Sequence, residues 1–110
     1  TYKNDIGSVT ISDTVIARVA GISATECMGV MGLAAADGLA DLLKKESLDR
    51  GVHVYSEEDT IRIDLSIIVK YGVSISAVAE NIISTVKYTV ENSTGMTVSR
   101  VDVIVRGIRV

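Results

Sequence analysis

An α+β domain, a mixed four-stranded sheet with helices on one face, is what this sequence predicts, and three patterns carry the prediction. Residues 60 to 70 set apolar and polar groups in alternation, the signature of a strand with one covered face. Residues 75 to 90 then repeat apolar groups at three- and four-residue spacing, which lines one side of a helix. Beyond Thr94-Gly95 the period returns to two through Val105.

The elements follow in chain order. Gly7-Ser8-Val9-Thr10-Ile11 alternates as a short strand, and Ser12 is a good N-cap with Asp13 in the first turn against the helix dipole. Val15, Ile16, Val19 and Ile22 form an apolar stripe, so a helix is expected over about 13 to 26, even though Gly21 costs about 1 kcal/mol inside it. Three glycines interrupt the apolar run from Gly29 to Gly38, which could be strand or loop; it reads as irregular. A second helix over about 37 to 47 carries Leu39, Leu42 and Leu43 on one side and ends in Lys44-Lys45, which suits its C-terminal dipole.

Val52 to Ser56 and Thr60 to Lys70 read as two strands joined by Glu57-Glu58-Asp59. The longer one puts Ile61, Ile63, Leu65, Ile67 and Val69 on one face and Thr60, Arg62, Asp64, Ser66 and Ile68 on the other. After a turn at Tyr71-Gly72, Ser74 or Ser76 caps a helix whose face is Ile75, Val78, Ala79, Ile82, Val86 and Val90. Gly95 is its αL stop, and Val98 to Val105 closes the domain as a strand. The order is strand, helix, helix, strand, strand, helix, strand, and a single domain spans 1–110.

Composition narrows the function classes. The chain has 110 residues, 47% hydrophobic, without Phe or Trp, so the core is aliphatic and no aromatic platform for bases or sugars is expected. A formal charge of −3 opposes polyanion binding, which depends on clustered Lys and Arg. Cys27 has no partner for an internal disulfide, which fits a buried thiol and a reducing cytoplasm. The longest uncharged apolar stretch, Cys27 to Ala36, is about half of a membrane span, so direct insertion into a bilayer is not expected.

Catalytic constellations are missing from the pattern. His53 stands between Val52 and Val54 with no serine or cysteine motif to make it a base, and reads as a surface or partner-facing imidazole. The acids at Glu57-Glu58-Asp59 read as a solvated turn, since no second element supplies spaced ligands. No enzyme activity, metal or cofactor is expected. One motif competes: Gly29-Val30-Met31-Gly32 is a GXXG between two predicted helices, in the element order of a KH module that clamps single-stranded nucleic acid. Its central residues are apolar, where a clamp should offer phosphates a cation, so this stays the alternative.

A resemblance adds what spacing does not. Tyr71-Gly72-Val73-Ser74-Ile75-Ser76-Ala77-Val78-Ala79-Glu80 and the run from Val98 to Val105 resemble the alkaline shock protein family of bacterial envelope-stress proteins. So do Ile11-Ser12-Asp13, Val15-Ile16-Ala17, Ala20-Gly21-Ile22, Gly38-Leu39-Ala40-Asp41-Leu42-Leu43 and Gly51-Val52-His53-Val54, a match from about Gly7 to Ile108. The resemblance implies a non-enzymatic cytoplasmic protein of envelope homeostasis, in some members held at the membrane by a separate anchor protein. Self-association or protein-partner binding is the activity it implies.

The contact surface expected from the residues is the open face of the sheet. Arg62, Asp64 and Ile68 alternate away from the apolar row of the long strand, and Arg100, Asp102, Ile104 and Arg106 away from Val101, Val103 and Val105. His53 and Tyr55 should join them from the neighbouring strand. Apolar anchors set among arginines and a tyrosine resemble interface composition.

Overall fold

The computed structural model describes residues 2–4, 7–9, 11–35 and 51–110. Their elements are β1 (Tyr2–Asn4), β2 (Gly7–Val9), α1 (Asp13–Thr25), β3 (Val30–Leu33), β4 (Val52–Ser56), β5 (Thr60–Lys70), α2 (Ile75–Thr94) and β6 (Thr97–Arg109). β5 has the same bounds as the long alternating stretch of the sequence, and it organises the sheet. β6 runs parallel to it over its whole length. With that edge taken, the other is shared end to end: β4 pairs antiparallel with Ile61–Leu65 and β3 antiparallel with Ile67–Val69. A parallel neighbour needs a crossover, and α2 supplies it.

The sheet is mixed and four-stranded as expected, but its membership differs. Among the described residues, Gly7–Val9 pairs with Tyr2–Asn4, in a separate two-stranded sheet. The fourth strand is β3, inside the segment that reads as irregular. Its glycines do not break it: Gly29 takes φ +89° and turns the chain out of α1, and Gly32 lies in the ladder opposite Ile68. The helix expected over about 37 to 47 lies outside the described residues.

Local signals fix the helix ends. Ser12 Oγ accepts the Val15 N–H at 3.3 Å, and Ser74 Oγ accepts the Ala77 N–H at 3.4 Å, so Ser74 and not Ser76 is the cap. Gly95 closes α2 at φ 73° and donates its N–H to the Glu91 carbonyl at 2.9 Å. Both helices cover the face carrying Ile61, Ile63, Leu65, Ile67 and Val69, all buried in one cluster with Ile16, Ala20, Val78, Ile82, Val86 and Val90. Each buried Val, Leu or Ile side chain of this cluster contributes about 1.5–3 kcal/mol on burial.

Two stripe assignments shift. α1 buries Ile16, Ala17, Ala20, Gly21, Ser23 and Ala24, while Val15 and Ile22 face outward. A surface of small residues lets the helix lie close to α2, β3 and β4, and that close packing outweighs the larger outward side chains. Ile75, in the first turn of α2, is also exposed.

Candidate partner-binding face

Residues directly paired across a ladder share a face, so the strand registers build the open side of the sheet row by row. Tyr55 pairs with Arg62, and Arg62 with Arg100. His53 pairs with Asp64, and Asp64 with Asp102. Ser66 pairs with Ile104, and Ile68 lies between Gly32 and Gly107. The structure thus brings the nine sequence-predicted residues to one side of the sheet, with Arg106 arriving by a different route.

That route is a β-bulge. The β5–β6 register slips between Ile61 and Arg62, where β6 carries Ser99 as an extra residue, and again between Ile67 and Ile68, where it carries Arg106. The Ser99 hydroxyl donates to the Ile61 carbonyl at 3.2 Å, which ties down the first bulge. At the second, Arg106 Nε donates to Ser66 Oγ at 3.3 Å and draws its side chain onto the face. Ser66 was not singled out from the sequence; its shared parity with Arg62 and Asp64 is the signal that marks it.

The face is charged in bands. Tyr55, Arg62 and Arg100 make a basic, aromatic row, and His53, Asp64 and Asp102 an acidic row beside it. Within the chain, ion pairs run along each strand: Arg100 Nε to Asp102 Oδ1 at 2.8 Å, and an Arg62 guanidinium nitrogen to Asp64 Oδ2 at 3.6 Å. The Arg62 guanidinium also lies 4.2 Å from the Tyr55 ring centroid, a cation–π contact, and the Tyr55 and His53 rings lie 6.3 Å apart at 23°. Arg62 Nε and Asp64 Oδ1 are buried and find no hydrogen-bond partner among the described residues.

Exposure divides the face. His53, Tyr55, Arg100, Ile104 and Arg106 are exposed and Asp102 half-buried. Ile68 is 0% exposed and Ser66 2%, so the expectation that Ile68 presents itself to a partner is corrected. Alternation reports the face a side chain is on; it does not report what lies over that face. The accessible part is therefore the end of the sheet formed by β4, the first half of β5 and the middle of β6.

Nothing in this face resembles a catalytic centre. His53 neighbours acids and a tyrosine, and Cys27 is buried among core residues, its thiol donating to the Ser23 carbonyl at 3.5 Å. No group of three or more His, Cys, Asp or Glu side chains among the described residues could hold a metal ion. The glycines of the GXXG string are not a clamp loop. Val30 to Leu33 is strand, and Val30 is buried against the core. Beside Gly29 lies a recess of about 370 Å³ lined by Met28, Gly29, Val73, Ser74, Ala77, Val78 and Asn81, without a cation for phosphates.

Comparisons with known proteins agree on lineage. YloU of Bacillus subtilis (strain 168) is 46% identical over 98% of this chain and 93% of its own length. Spy1614 of Streptococcus pyogenes serotype M6 is 42% identical over 94% of this chain and 89% of its own. Among solved structures, a variant of the MamM CTD superposes with a TM-score of 0.52 at 15% identity, covering 84% of this chain and 90% of that one, a likeness of fold. The family model for alkaline shock protein 23, described by a cell envelope-related function, matches residues 1–110. Matched along its whole length, with relatives at this identity, the chain belongs to the alkaline shock protein 23 family.

Proposed function

We propose that this protein is a non-enzymatic assembly or adaptor module of the cell envelope, acting by self-association or protein binding through the open face of its sheet. One observation carries the reading: Tyr55, Arg62 and Arg100 form one row of the open face, and the exposed Ile104 lies on the same face two rows along β6. Arginine and tyrosine sharing a face with an exposed aliphatic side chain is a composition in which interfaces concentrate binding energy.

No helix among the described residues is long and apolar enough to cross a membrane. A place at the envelope is then a matter of a partner: a cytoplasmic protein held at the membrane by a separate anchored protein fits the family's envelope-related description. Nucleic acid is disfavoured, since the only motif suggesting it folds as a core strand.

Changing Arg100 and Ile104 together to Glu tests the face. Both side chains are exposed, so circular dichroism and melting stay nearly as in the parent. Association, measured by light scattering and by capture of a membrane-fraction partner, weakens by at least about 1–2 kcal/mol, roughly 5- to 30-fold. Unaltered association by the folded double variant would assign the contact to another surface.

A further inference from the structure

We infer that the occupant of this face is a second copy of the chain, laid face to face with its strands antiparallel to the first. The inference rests on the proposed role of the open face and commits it to one partner. Its basis is the banding. Across the β5–β6 ladder, like charges lie side by side, Arg62 with Arg100 and Asp64 with Asp102. Such neighbours repel within one chain, and the ion pairs along each strand compensate only in part. A basic band next to an acidic band is also self-complementary about one particular axis.

That axis follows from geometry. A two-fold lying in the interface and parallel to the strands sets basic row on basic row, which is unfavourable. One perpendicular to the strands, passing between the two rows, sets each basic row over the acidic row of the other copy. Arg100 then faces Asp102 of the second copy, Arg62 faces Asp64 and Tyr55 faces His53, each contact occurring twice as an isologous interface requires. A different protein would have to bring its own matching bands; a second copy has them already.

The footprint points to a weak, reversible contact. Three strands about 4.8 Å apart and rows about 6.7 Å apart span a few hundred Å² on each copy, below the roughly 800 Å² per partner of a standard stable interface. A reversible dimer with a Kd on the order of 10–100 μM is the consequence. Because charge pairs hold it, raising salt from about 50 mM to about 500 mM weakens it.

The experiment is a charge-exchange mixture followed by sedimentation velocity. Arg100→Asp leaves two acids at the paired positions and Asp102→Arg leaves two bases, so each variant alone dimerises at least about 5-fold more weakly than the parent. Mixed one to one, the two variants are complementary at both contacts about the axis, and association returns to the parent's level. A mixture no better than its components overturns the arrangement. A parent that stays monomeric to about 1 mM, well above that Kd range, while Arg100→Glu with Ile104→Glu abolishes capture of a membrane-fraction protein, overturns the second copy and keeps the face. Indifference of both assays to both sets of substitutions overturns the face as well.

Discussion

Replacing Gly29 by Ala tests whether the first glycine of the GXXG string is there for packing. Two costs add at this position. Its φ of +89° lies in the left-handed region, where a Cβ costs about 1–2 kcal/mol. The Cβ would also stand 2.7 Å from Val78 Cγ2 and 3.4 Å from Val73 Cγ1. Val78 cannot turn aside: it is β-branched, inside a helix, and 7% exposed in the core. Forcing extra volume there costs about 1–3 kcal/mol more. The sum is about 2–5 kcal/mol, and in a domain of this size each kcal/mol lowers Tm by about 3–6 °C. Gly72 is the internal control, with φ +88° and nothing within 4 Å of a Cβ. Gly72→Ala therefore carries the strain alone, about 1–2 kcal/mol. Guanidinium unfolding of the two variants isolates the contact with Val78 as their difference. Equal losses would refute the packing argument and return Gly29 to the list of candidate functional residues.

Three further outcomes are expected. Glu91 Oε2 accepts the Val98 N–H at 2.9 Å beside the first bulge, so Glu91→Ala strands that donor at a cost of about 1–3 kcal/mol in denaturant unfolding, and Glu91→Gln recovers most of it. Ile68→Ala costs about 2–5 kcal/mol, the loss of a core side chain; a change within the range of surface sites would show that the position is open. Fluorescence anisotropy with single-stranded RNA detects no binding tighter than about 100 μM at physiological salt, and a low-micromolar, salt-sensitive complex would restore the clamp.

The parts of the fold legible in the sequence are those whose signals are local and long. β5 declares itself through alternation from Thr60 to Lys70, and α2 through its apolar spacing between the Ser74 cap and Gly95. β3 does not, because four residues containing a glycine become a strand only by pairing with Ile67–Val69, more than thirty residues away. The face shows the same division. Parity alone places Arg62, Asp64, Arg100 and Asp102 on one side. The banding that gives the face its character depends on register and on two bulges, which are set by contact between β5 and β6. α1 shows a third case: of the stripe its large aliphatic residues suggested, Ile16 and Val19 do face the core, but Val15 and Ile22 are exposed and the small Ala17, Ala20, Gly21 and Ala24 fill the buried side.

Backbone amide shifts recorded by NMR over a dilution series test the central claim most directly, since they report association residue by residue without any substitution. The account predicts concentration-dependent shifts concentrated at His53, Tyr55, Arg62, Asp64, Arg100, Asp102 and Ile104, fading together as salt is raised. Shifts gathered instead on the outer sides of α1 and α2, or around Met28 and Val73, with the open face unmoved, would contradict it.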